Sequence, residues 1–145
     1  MRRTPPPFAL ARLESALRTT AVPGVSAAWL FGSAAAGRLH EESDVDVGVL
    51  LDRRIHPAER DRFEARLALS SELADALGDR LVDVVVLNDA SPLLARRIVA
   101  EGRCLVCLDA AAEHAFRRDV QLQALDLEPF VTRNRRVALK ALARR

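Results

Sequence analysis

A chain of 145 residues, half of them hydrophobic, can bury one real core and is too short for two ordinary domains, so residues 1–145 are expected to fold as a single unit. Lys and Arg number 22 against 20 Asp and Glu, and the net charge of +2 excludes polyanion binding by overall charge. Arg12 and Glu14 interrupt the N-terminus before the apolar core of a secretion signal could form, and nowhere do about eighteen apolar residues run together, so a cytoplasmic protein with no membrane span is expected.

Beyond the prolines at 5–7, Leu10, Leu13 and Leu17 share one helical face, which predicts a first helix over 8–20 that ends before Val22-Pro23-Gly24. Residues 25–31 are apolar on both faces and predict a central strand. It leads straight into Gly32-Ser33 and a helical turn through the alanines, which Gly37 ends. The second strand is 44–51. Pro57 is expected in the first turn of a long helix that reaches Leu77 and is stopped by Gly78, with Phe63, Leu67, Leu73 and Leu77 as its apolar side. The third strand, 81–87, has Asp83 as its single charged residue. Ser91 and Pro92 read as an N-cap and a first-turn proline, opening a short helix that carries Leu94 and Ile98 and closes at Gly102. A fourth strand over 104–108 and two helices, 110–127 and 129–144, broken at Pro129, complete the chain. Strands alternating with helices at this length predict an α/β or α+β fold, a small sheet packed with helices.

The chemistry concentrates between Trp29 and Leu51. Val45, Val47 and Val49 alternate with Asp44, Asp46 and Gly48, so a strand of period two presents both carboxylates on one face and the valines on the other. Two like charges so close repel unless a cation lies between them. Mg2+ suits the arrangement, being a hard ion that takes one or two carboxylates from the protein and completes its octahedron with water and phosphate oxygens. Gly32 has no side chain to block a phosphate, and Ser33 would open a helix whose free amides attract anions. Phosphoryl chemistry is the reading these residues support.

Gly32-Ser33, ten residues, then Asp44-Val45-Asp46 resembles the signature of the DNA polymerase β-like nucleotidyltransferases, and most of all their minimal nucleotidyltransferase branch. The resemblance covers roughly 10–109 and implies the polymerase β-like fold, with a helical C-terminal tail over about 110–145. It implies that Asp44 and Asp46 hold two Mg2+ ions, that Asp83 is a third metal-binding carboxylate beside the acceptor hydroxyl, and that Gly32 and Ser33 grip a nucleoside triphosphate, ATP as donor. Many relatives carry an arginine where this chain has Ala36, and Arg38 is the residue placed to substitute for it. The function implied is transfer of AMP from ATP to a hydroxyl, a tyrosine, of a HEPN-type toxin encoded nearby, the chain acting as its antitoxin. The alternatives are a non-catalytic antitoxin that acts by occlusion and a nucleotidyltransferase acting on RNA or a small molecule.

Three further features carry less. Cys104 and Cys107, three apart in a strand, are expected on opposite faces as small buried hydrophobes, because no second ligand pair completes a metal site. His40, His56 and His114 share no spacing with one another or with the aspartates and are assigned no role. From Arg133 to Arg145 there are six basic residues and no acidic one, a solvated helix face that could also dock an acidic partner, or nucleic acid in the alternative reading.

Overall fold

Val25–Phe31 (β1) and Val45–Leu51 (β2) pair antiparallel at the centre of a four-stranded sheet, flanked by Val82–Val86 (β3) beside β2 and Arg103–Cys107 (β4) beside β1. β3 runs parallel to β2, and β4 antiparallel to β1, so the sheet is mixed, in the order β3-β2-β1-β4. Among the described residues four α-helices accompany it: Pro7–Arg18 (α1), Glu59–Ala76 (α2), Pro92–Glu101 (α3) and Ala110–Ala143 (α4). The computed structural model describes the backbone of residues 7–32 and 45–143 and the side chains of 10–32 and 45–126.

Each face of the sheet has its own core. Val45, Val47, Val49 and Leu51 of β2 and Val82, Val84 and Val86 of β3 point to one face, where Leu10, Leu13 and Leu17 of α1 and Ala65, Leu69 and Leu73 of α2 cover them. On the other face Ala27, Trp29 and Leu50 pack against Leu87, Ile98 and Val99, with Phe31 and Phe116 at the margin. The period-two alternation of β2 is what divides it between the two cores. Asp46 and Gly48 therefore belong to the second face. Among the described residues no helix is long and apolar enough to cross a membrane.

Several expectations need correction. The helix expected from Pro57 begins at Glu59, because Ala58 is extended and its N–H donates to the Asp61 carboxylate at 3.1 Å, which sets the first turn two residues later. Its buried stripe is also rotated. Leu73 is buried as expected, but Phe63 and Leu67 are exposed, while Arg62 is only 6% exposed. The Arg62 guanidinium explains this: it donates to both oxygens of Asp89, at 2.8 and 2.9 Å, and to the carbonyls of His56 and Pro57, at 3.0 and 3.1 Å. That pairing raises the pKa of Arg62 against the opposing effect of its burial. His56, given no role from sequence, completes the cluster, its Nε2 lying 2.7 Å from the carbonyl oxygen of Pro23.

The cysteines are neither buried nor on opposite faces. Between Ala28 and Trp29 the pairing of β1 with β4 skips Leu105, a β-bulge that sets Cys104 opposite Trp29 and Cys107 opposite Ala27. Leu105 and Val106 both turn into the core instead, and the two thiols are left exposed on the opposite side. Partial desolvation raises the pKa of Cys104, with Cys107 adding to the rise, so the residue stays a thiol. Nor does Pro129 break the tail: α4 is continuous from Ala110 to Ala143, although a proline there removes one helical hydrogen bond. The short helix over Pro92–Glu101 is as expected, with Ser91 Oγ accepting from the Leu94 N–H at 3.3 Å. The helical turn expected at 33–37 lies outside the described residues.

Replacing Arg62 with alanine strands Asp89 and two carbonyls, and breaking a buried pair in this way costs about 3–5 kcal/mol when both partners are fully enclosed. Asp89 is partly exposed, so Arg62→Ala is expected to lose about 2–3 kcal/mol in urea unfolding. A loss below about 1 kcal/mol would show that the cluster is not what fixes the orientation of α2.

Candidate active site

Three strands bring Gly32, Asp46 and Asp83, three of the sequence's candidate residues, to one end of the sheet. Phe31, the last residue of β1, pairs with Asp46 of β2, and Asp46 pairs with Asp83 of β3. Register partners in adjacent strands project from the same face, so the Asp46 and Asp83 carboxylates stand side by side on the face opposite the valine core. Asp83 lies within the paired part of β3, one step inside the ladder that begins with Val45 and Val82.

Gly32 follows Phe31 and closes the site from the β1 side. Its φ of +71° is a left-handed conformation that other residues adopt only with strain. Space makes a second demand, because a Cβ at Gly32 would collide with Oδ2 of Asp46. The aspartate therefore lies against bare backbone, where the chain leaves β1. Two residues along β2, Gly48 does a different job on the same face: a Cβ there would come within 3.0 Å of Ile98 and 3.2 Å of Leu87. Its absence lets α3 settle on the sheet at Gly48, so the apolar layer stops short of Asp46.

Asp83 has a neighbour that sequence reasoning did not single out. Its Oδ1 lies 3.9 Å from Nη2 of Arg66, and the two side chains are 54% and 45% exposed. Arg66 sits on α2, which covers the valine face, so its side chain reaches round the outer edge of β3 to the carboxylate on the other side. No sequence signal could have paired these residues, because the contact depends on which strand forms the sheet's edge.

Of the six residues named from sequence, the structure brings together Asp46, Asp83 and Gly32; Ser33, Arg38 and Asp44 lie outside the described residues, as does Ala36. Among the described residues no group of three or more His, Cys, Asp or Glu is disposed to hold a metal ion. The described part of the site contributes two adjacent carboxylates, a hard oxygen donor set, and Asp44 lies two residues before Asp46 in sequence.

Residues 13–111 match the family described as Polymerase beta, Nucleotidyltransferase. The chain belongs to that nucleotidyltransferase family. It is 36% identical over 84 residues to the protein adenylyltransferase MntA of Shewanella oneidensis strain MR-1, a match that covers 58% of this chain and 55% of that relative's length. It also superposes on a crystal structure of a toxin–antitoxin with AMP-PNP, at 26% identity and a TM-score of 0.63 over 92% of this chain and 98% of the other. A structure of a tri-AMPylated Shewanella oneidensis HEPN toxin in complex with its MNT antitoxin shares the fold at 23% identity and a TM-score of 0.58, over 94% of this chain and 97% of that one. The polymerase β-like architecture expected from the Gly-Ser and Asp-Val-Asp pattern is thus the one found.

In this nucleotidyltransferase fold Gly32→Ala is expected to lower the unfolding free energy by about 1–2 kcal/mol, the cost of holding an L-residue in the left-handed region. The change would also displace the Asp46 carboxylate. Thermal unfolding measures the first effect, and an unchanged melting temperature would mean that the backbone at 32 relaxes out of the positive-φ conformation.

Proposed function

We propose that this chain is a cytoplasmic, Mg2+-dependent nucleotidyltransferase that moves AMP from ATP to a tyrosine hydroxyl of a HEPN-type partner protein encoded beside it, and so acts as an antitoxin. The observation that carries the proposal is the register of Asp46 against Asp83, one residue from the left-handed turn at Gly32. Family membership supports nucleotidyl transfer, and the likeness to MntA supports a protein acceptor.

The donor set fits Mg2+. Asp46 and Asp83 supply hard oxygens from neighbouring strands, Asp44 supplies a third by its place in the sequence, and like charges forced together by strand register favour an ion between them. When bound, Mg2+ ions supply charge neutralisation at the triphosphate and lower the pKa of the acceptor hydroxyl. The remaining work falls to the chain. Bare backbone at Gly32 leaves the phosphates a place to approach without a side chain in the way, and by their place in the sequence Ser33 contributes an amide and Arg38 a guanidinium in place of the one lost at Ala36. Asp83 takes the proton of the acceptor hydroxyl while that oxygen bonds to the α-phosphorus. The bond from the α-phosphorus to the bridging oxygen breaks, pyrophosphate leaves, and AMP remains on the tyrosine. This chain contains no tyrosine, so the acceptor tyrosine belongs to another molecule.

Two substitutions test the assignment. Asp46→Asn is expected to lose at least about 100-fold in transfer together with most Mg2+-ATP affinity, whereas Asp83→Asn keeps much of that affinity and loses transfer alone. Intact mass of the partner reports transfer and calorimetry reports binding. If Asp83→Asn loses both equally, its acceptor-side role is wrong; if Asp46→Asn transfers like the parent, the metal-carboxylate reading falls.

A further inference from the structure

Asp83 faces two surfaces. Besides standing next to Asp46, its carboxylate lines a groove of about 280 Å³ that runs along the outer edge of β3 between α2 and the start of α3. Phe63 from α2 and Leu94 from α3 form apolar walls and remain 51% and 39% exposed, surface that the fold itself leaves uncovered. The guanidinium of Arg66 crosses the strand edge within this groove. Its contact with Asp83 is long and half-exposed, the kind of pair that contributes at most about 1 kcal/mol, so an arriving group displaces it at little cost.

We propose that this groove is the acceptor subsite: it receives the tyrosine side chain of an extended partner segment, its ring packed between Phe63 and Leu94 and its hydroxyl at Asp83, with Arg66 as a positioning residue that releases Asp83 when the ring enters. The inference rests on the protein-acceptor reading given above. The lining favours the acceptor as the occupant: about 280 Å³ lies at the small end of the range for ligand pockets, and the exposed apolar walls from Phe63 and Leu94 suit a flat aromatic side chain. Charge favours protein over RNA. The ionisable residues of the lining are Glu59, Asp83 and Asp89 against Arg66, and Asp89 is already held by Arg62. That leaves Glu59 and Asp83 against Arg66, a small acidic excess that favours a neutral or basic peptide over a phosphodiester backbone. Continuity is the third argument, because Asp83 belongs at once to the groove and to the carboxylate pair, so a hydroxyl delivered along the groove arrives beside Asp46.

The experiment uses the full chain, the HEPN-type protein encoded beside it as acceptor, and an RNA oligonucleotide as competitor. Labelling is followed by intact mass at varied acceptor concentration, and Mg2+-ATP affinity by calorimetry. Phe63 and Leu94 are exposed, so a Phe63→Ala, Leu94→Ala double variant should keep the parent's circular dichroism while its KM for the partner rises at least about tenfold, with Mg2+-ATP affinity unchanged. Arg66→Ala, which frees Asp83 in advance, should lower KM for the partner by up to about fivefold with Mg2+-ATP affinity unchanged, and Arg66→Lys should return KM towards the parent's, which a merely structural role would not produce. If the parent labels the partner and the double variant's KM is unchanged, the groove assignment alone falls. Preferential labelling of the RNA overturns it on the charge argument. If the parent labels no protein at all, the protein-acceptor reading falls and takes the groove assignment with it.

Discussion

The parallel register of β2 against β3 is the constraint on which the site depends. A slip of one residue would turn every side chain of β3 to the other face, sending Asp83 into the valine core and the valines into solvent. Each buried valine contributes about 1.5–3 kcal/mol, and Val82, Val84 and Val86 all lie in that core. Like charges opposite one another across strands cost only about 0.2–1 kcal/mol. Burial on one face therefore fixes the register, and the carboxylates on the other face are held together as a consequence. The apolar face positions the polar one, so the site requires no contact of its own to bring Asp46 and Asp83 together.

What keeps that polar face open is the distribution of packing along β2. At Gly48 the missing Cβ lets Ile98 and Leu87 press onto the strand, and at Leu50 the second core is closed. Two residues towards the start of the strand, the space is occupied by Gly32 and the Asp46 carboxylate. The two glycines thus have opposite effects. One admits a helix and ends the solvent-accessible surface, and the other admits a carboxylate. With larger residues at both positions α3 would be lifted and Asp46 pushed aside, removing the step between core and site.

Much of this was legible in the sequence because the decisive signals are local. The apolar runs of β1 and β2 and the glycine at 32 ahead of Asp46 are read within some twenty residues, and Asp83 is conspicuous as the only charge in a valine run. The errors share a different cause: each involves a partner distant in sequence. The face of α2 is set by Asp89, 27 residues beyond Arg62, which draws a guanidinium inward where periodicity would have placed Phe63 and Leu67. The cysteines are turned outward by a bulge that exists only against β1. α4 continues through Pro129 although local chemistry favours a break. Arg66 next to Asp83 belongs to the same class, since its meaning comes from β3 lying at the edge of the sheet.

Arg62 and Arg66 stand four residues apart on one helix, a spacing that puts them on the same side of α2, and both reach for an aspartate of the β3 region. Their environments separate their roles. Arg62 is enclosed, bidentate to Asp89 and bonded to two carbonyls, so releasing it would leave several polar groups stranded at a cost of several kcal/mol. Arg66 is half exposed, with one long contact to Asp83 whose loss is within reach of a single arriving ligand group. The first arginine anchors α2 to the turn that follows β3, and Ser70, one turn beyond Arg66, adds a 2.6 Å hydrogen bond to the Val82 carbonyl. Held between these two tethers, α2 cannot shift when Arg66 moves. The side chain can then leave Asp83 without disturbing the strand that carries it, and an exchange of partners at the carboxylate stays a local event.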